Sequence, residues 1–100
     1  MALDLVYLES ADADLAEIYD WLAARADASS AFAYVSRIEE ACGGLTDFPR
    51  RGPPHDDLAP GLRSIPFGRR ATIYYRVTER AVEIVRILYA GRDADREFDA

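Results

Sequence analysis

The chain has 100 residues, half of them apolar, which is enough for one hydrophobic core and too little for two. With 30 % charged residues and no apolar run approaching the ~18 residues of a membrane span, its composition excludes a disordered chain and an integral helical membrane protein. The single cysteine, Cys42, excludes an internal disulfide and a Cys-rich metal site.

Met1-Ala2-Leu3-Asp4 carries an acid where a secretory signal would be greasy, so a cytoplasmic chain forming one domain over residues 1–100 is expected. The formal charge of −6 is unevenly spread. Residues 1–48 hold Arg25 and Arg37 against ten acids, whereas residues 50–92 hold nine Arg against Asp56, Asp57, Glu79 and Glu83. Net acidity argues against nucleic-acid binding by the whole surface but leaves room for a local arginine face.

Leu3 to Leu8 reads as a first strand. Ser10 is placed to cap a helix whose first turn holds Asp12 and Asp14, where negative charge suits the helix dipole. Ala11, Leu15, Ile18, Tyr19 and Leu22 form its apolar stripe, and Trp21 falls to the side, next to Asp14. Asp27 to Ser30 break this helix and cap a second, whose buried face is Ala31, Tyr34, Val35, Ile38, Ala41, Cys42 and Leu45. Gly43 and Gly44 project to its polar side, so the helix is expected to run to about Thr46. Phe32 lies off the stripe as Trp21 does, either as edge packing or as surface awaiting a partner.

Phe48 to Pro60 holds four of the five prolines and the lone His55, and reads as an irregular loop with a solvated histidine. Without a second His or a Cys nearby, His55 makes no metal site. Leu62–Phe67, Ala71–Val77 and Val82–Ala90 then form an antiparallel meander, with Pro66 placing the first of them at a sheet edge. The order β-α-α-β-β-β gives an α+β domain, a helical hairpin packed on one face of a small, mainly antiparallel sheet.

Turn length decides which side chains share a face. A turn at Thr78-Glu79-Arg80 pairs Tyr75 with Glu83 and Ile73 with Val85. Ile73, Tyr75, Val77, Val85 and Ile87 then face the helices, and Tyr74, Arg76, Ile84 and Arg86 face away. A two-residue turn at Gly68-Arg69 pairs Arg63 with Tyr74, which gathers Arg63, Arg76 and Arg86 on the uncovered side. An even-length loop before the last strand would instead bring Glu83 and Tyr89 there.

The stretch Ser10-Ala11-Asp12-Ala13-Asp14-Leu15-Ala16-Glu17-Ile18-Tyr19-Asp20-Trp21-Leu22 resembles the opening helix of ParE-type toxins of the RelE/ParE superfamily. Leu45-Thr46-Asp47-Phe48-Pro49-Arg50-Arg51-Gly52 resembles the family's L-x-x-x-P-x-x-G connection. Gly61-Leu62-Arg63, Tyr74-Tyr75-Arg76-Val77, Val82-Glu83-Ile84 and Gly91-Arg92-Asp93 follow in the same order. The resemblance spans Val6 to Asp93, and it is the ordered set that is specific.

Membership implies the toxin of a type II toxin–antitoxin pair, neutralised by a ParD-like antitoxin whose disordered part folds onto it. Trp21 and Phe32 are the candidate antitoxin contacts. RelE-like relatives cleave mRNA on the ribosome, which requires clustered cations together with groups that give and take protons. This chain offers Arg63, Arg76, Arg86 and Arg92 as cations, but an unperturbed tyrosine titrates near pH 10 and needs help to act as a base, and the chain has no Lys. Many ParE relatives carry His where this chain has Tyr89. The resemblance therefore implies inhibition of DNA gyrase, ahead of ribosome-dependent mRNA cleavage or a non-toxic antitoxin-binding or self-assembly module.

The candidate target contacts are Arg63, Arg69, Arg70, Arg76, Arg86 and Arg92. No catalytic residue, cofactor, metal, membrane contact or sequence-specific nucleic-acid binding by the toxin alone is expected. Arg63 has a competing role as an ion-pair partner of Asp56 or Asp57, and Arg92 as a partner of Asp93 or Asp95.

Overall fold

Leu5 and Tyr7 turn toward the interior while Asp4 and Val6 face solvent, and this alternation makes the first segment a strand. The computed structural model describes residues 3–89 and 92–98, so Ala90 and Gly91, which the sequence assigns to a strand end and a motif, lie outside the described residues. Strand β1 (Asp4–Tyr7) is followed by α1 (Glu9–Arg25), α2 (Ala28–Gly44), β2 (Leu62–Phe67), β3 (Ala71–Val77), β4 (Ala81–Tyr89) and the short α3 (Ala94–Glu97). The sheet runs β1-β4-β3-β2, antiparallel except that β1 lies parallel to β4. This is the α+β arrangement expected, and Pro66 does sit on an edge strand.

Helix α1 starts at Glu9, with Leu8 in the cap position and no side-chain cap, so Ser10 is not the N-cap. The Ser10 hydroxyl donates instead to the Val85 carbonyl at 2.7 Å. Pairing of β1 to β4 stops at Tyr7 and Ile84, and α1 side chains take over the β4 edge beyond it. Asp27 caps α2 as expected, accepting from the Ser30 N–H at 2.7 Å, and that bond holds its carboxyl below the usual range. Helix α2 ends at Gly44, and the Thr46 hydroxyl then donates to the Gly43 carbonyl at 2.8 Å to turn the chain. Leu45 remains fully buried at the cap position, so the apolar stripe outlasts the helix.

Both turn lengths differ from expectation. Phe67 pairs with Ala71 across a three-residue connection, Gly68 to Arg70, in which Gly68 takes a left-handed φ of 59°. One extra residue shifts the register, so Arg63 lies opposite Tyr75 rather than Tyr74. Val77 pairs with Val82, an even-length loop, which puts Glu83 beside Arg76 on the outer face. A bulge then sets Val85 and Arg86 opposite Tyr74 and restores the other phase, so that Ile73 meets Ile87. Ile84 is therefore buried against the helices and Val85 packs on the opposite face, the reverse of the sequence expectation.

The main core joins Ala11, Leu15, Ile18, Ile38 and Cys42 of the helices, and Leu45 just past α2, to Ile65, Ile73, Tyr75 and Ile87 of the sheet. The outer face is not bare. Leu62, Tyr74 and Leu88 make a second small core, closed by Leu58, Ala59, Ala94 and Phe98.

Beneath the helices the Tyr7 hydroxyl is buried without a hydrogen-bond partner of ordinary geometry among the described residues, next to the Cys42 thiol. Burial pushes Tyr7 up and raises Cys42 from 9.0 to about 11. The folded chain thus keeps a thiol proton that the unfolded chain releases above pH 9.0, so stability falls as pH rises from there through about 11. The urea midpoint is expected to drop across this window, and to drop less in Cys42→Ala. Equal drops in the two proteins would contradict a protonated buried thiol.

Candidate functional site

The arginines offered as one surface are held at separate places. Arg63 lies on the helix-facing side of β2, where it donates to the Gly52 carbonyl at 2.6 Å and the Arg50 carbonyl at 3.3 Å. The Tyr75 hydroxyl fastens the same loop, donating to the Pro49 carbonyl at 2.7 Å and accepting from the Gly52 N–H at 3.0 Å. Gly52 is required by this close approach, since a Cβ there would stand 2.3 Å from the Ser64 carbonyl oxygen. Arg63 is thus a loop anchor, and neither Asp56 nor Asp57 is its partner.

Arg86 leaves the β4 bulge toward α1. Its Nε and Nη2 donate to both oxygens of Asp14 at 2.7 and 2.9 Å, and Nη2 also reaches Glu97 at 2.9 Å. Asp14 Oδ2, the oxygen that takes the Nε bond, also accepts from the Ile87 N–H at 2.8 Å. Both carboxylates push the Arg86 guanidinium further from deprotonation, Asp14 most strongly. Arg76 pairs with Glu83 across the strands at 2.7 Å, exposed to water. Arg92 pairs with Glu17 of α1, not with Asp93 or Asp95. Arg69 and Arg70 are exposed at the β2–β3 tip.

His55 is not a solvated loop histidine. The loop folds back over the sheet, with Pro54 bridging Arg63, and His55 Nε2 sits 2.6 Å from the Ser64 hydroxyl. Its ring lies 6.0 Å from that of Tyr74, which Phe98 covers on another side at 5.1 Å. Burial raises the Tyr74 hydroxyl, with Asp95 adding to the effect. This group of polar side chains is therefore roofed by the 55–59 loop and α3 rather than open to a substrate.

Trp21 and Phe32 are among the exposed large apolar side chains, at 36 % and 68 %. Trp21 walls a cleft of about 170 Å³ whose lining includes Ile18, Ile87, Tyr89 and Arg92. Its ring meets Tyr89 edge-on at 5.4 Å, Tyr89 meets Tyr34 at 5.7 Å, and Tyr34 meets Phe67 at 5.4 Å. An aromatic row thus crosses one end of the molecule from α1 to the sheet edge. Phe32 takes no part in it.

Sequence reasoning missed Asp14, Glu97 and Tyr34 as members of these sites. Asp14 carried a signal, since it sits one residue before the buried Leu15, at a position the core stripe borders. Glu97 carried none, because a four-residue helix leaves no periodicity to read.

Two helices laid on one side of a four-stranded mixed sheet, with β1 running parallel to β4, define the architecture of the RelE/ParE toxins. The model of the ParE toxin of the type II toxin–antitoxin system, parDE, matches residues 5–94. The chain belongs to this family. Toxin ParE1 of Mycobacterium tuberculosis, in strains CDC 1551 / Oshkosh and H37Rv, is 34 % identical over 90 residues, covering 89 % of this chain and 91 % of that protein. A solved chromosomal ParDE toxin–antitoxin system from P. aeruginosa superposes at a TM-score of 0.78 with 25 % identity, over 90 % of this chain and 98 % of that one. The toxin–antitoxin complex RelBE2 from Mycobacterium tuberculosis shares the fold at a TM-score of 0.63 with 22 % identity, over 89 % and 99 % of the two chains. No helix among the described residues is long and apolar enough to cross a membrane.

The placements separate the arginines by consequence. Arg63→Ala would strip two carbonyls of a charged donor and is expected to cost about 1.5 kcal/mol in urea unfolding. Arg76→Ala removes an exposed pair and is expected to change stability by no more than ~0.5 kcal/mol. Equal effects would contradict the anchoring role of Arg63.

Proposed function

We propose that this ParE-type toxin acts by inhibiting DNA gyrase and is neutralised by a ParD-like antitoxin. The observation that carries the reading is that the sheet arginines are engaged within the fold. Arg63 holds loop carbonyls, Arg86 holds Asp14 and Glu97, and Arg76 holds Glu83. Ribosome-dependent cleavage needs open cations beside a proton donor and acceptor, aimed at where charge develops on the phosphate. Here the one histidine and its neighbours Ser64 and Tyr74 lie under a roof, and the strand arginines Arg63, Arg76 and Arg86 are tied to groups of the fold itself. An inhibitor that works by fitting a surface needs no such group.

Exposed contacts remain for two partners. Arg69 and Arg70 at the β2–β3 tip are the strongest candidates for touching gyrase, with Arg92 next to them in rank. Arg63, Arg76 and Arg86 act on the target only through the shape they maintain. Trp21 and Phe32 are the antitoxin contacts, since covering exposed aromatic surface offsets the ordering entropy of a segment that folds on binding.

The test adds purified toxin to a gyrase supercoiling reaction and to a translation extract. Loss of supercoiling with intact mRNA is expected, reversed by the antitoxin. Codon-linked mRNA cuts with normal supercoiling would establish the nuclease reading instead, and no effect in either assay would leave a non-toxic binding module.

A further inference from the structure

The end of the molecule that carries the aromatic row has a charge opposite to that of the chain as a whole. Arg25 lies over the Trp21 ring, its guanidinium carbon 4.0 Å from the centroid. Arg37 stands 5.8 Å from the Tyr34 centroid, and Arg70 is close enough for its charge to act on the same tyrosine. Arg69 is exposed beside it, and Arg92 lines the cleft against Trp21 and Tyr89. The acids of this end are already engaged or few. Asp14 and Glu17 line the cleft but are held by Arg86 and Arg92, Asp27 caps α2, and Asp20 makes no ion pair among the described residues. The exposed acids Asp12 and Glu39 gather at the other end of the hairpin, where both act on Tyr7. A net charge of −6 therefore conceals a cationic aromatic end and an acidic opposite end.

We propose that this end receives an acidic segment of the antitoxin, one whose carboxylates meet Arg37 and Arg70 while an apolar side chain enters the cleft between Trp21 and Tyr89. The inference rests on the antitoxin reading above and names the chemistry of the partner. Whole-chain acidity alone would call for a basic one. The cleft of about 170 Å³ has room for one side chain of Leu or Phe size. The carboxylates supply orientation and encounter rate, and the inserted side chain supplies the desolvated anchor. A nucleic acid suits this surface less well. Arg25 already occupies a face of Trp21, the other rings contact one another edge to face, and the chain's overall charge repels a phosphate backbone at a distance.

Trp21 is the only tryptophan, so its fluorescence reports occupancy of the cleft directly. The toxin would be titrated with a ParD-like antitoxin, with a synthetic peptide alternating Glu and Leu, with its Lys and Leu counterpart, and with a single-stranded oligonucleotide. The antitoxin and the Glu peptide are expected to shift Trp21 emission saturably, and Arg37→Glu/Arg70→Glu to weaken both by about tenfold or more. Arg37→Ala/Arg70→Ala, which adds no new charge, is expected to weaken them by a smaller factor, with the circular dichroism of all three proteins unchanged. Tighter binding of the Lys peptide or of the oligonucleotide would overturn the proposal. So would antitoxin binding that survives the Glu double variant at wild-type affinity, which leaves the antitoxin reading intact. An antitoxin that fails to bind the wild-type toxin at all would overturn both.

Discussion

The rest of the structure depends on the pairing of Asp14 with Arg86. A carboxylate on α1 that is 7 % exposed would be costly to bury alone, as would a guanidinium at a strand bulge. The fork geometry of Arg86 answers both oxygens of Asp14, and the Ile87 N–H answers one of them again. That single node ties three elements that are distant in sequence: α1, the kinked middle of β4 and, through Glu97, the α3 turn. It also explains why the sheet can end β1 after four residues. The β4 edge beyond β1 finds its partners in Ser10 and Asp14, so no backbone strand is needed there.

The same node shapes what the two faces of the sheet can do. By drawing α3 onto Tyr74 and Leu88, it converts the side of the sheet without helices into a second small core. The arginines that would otherwise stand there as a phosphate-binding group hold carboxylates or loop carbonyls. Surface chemistry is left to the two ends of the molecule: acids around the start of α1, and aromatics with exposed arginines around its finish.

Much of this was legible from residue patterns because the helices carry strong local signals. The 3.6-residue stripe from Ala31 to Leu45 identified every buried position of α2, and Asp27 announced its start. The edge position of β2 followed from the missing N–H of Pro66. What was not legible depends on single residues of turn length. Gly68 with a left-handed φ lengthens one turn, and the Val85–Arg86 bulge changes phase within a strand, so Arg63, Ile84 and Val85 all sit on faces opposite to those expected. Neither feature has a composition signal. His55 was misjudged for a related reason: its partner Ser64 is nine residues away, and only the folding back of the proline-rich loop brings them together. Trp21 was rightly placed off the main stripe, but the aromatic row it begins required knowing where β4 ends.

A double-mutant cycle on Asp14 and Arg86 tests the central claim most directly, with Asp14→Ala, Arg86→Met and the double variant compared by urea unfolding. If the pair is the node described, the two substitutions will be strongly non-additive, with a coupling of about 2 kcal/mol favouring the pair. Additivity to within ~0.5 kcal/mol would mean that the two groups do not depend on each other, and that the account of how α1, β4 and α3 are joined is wrong.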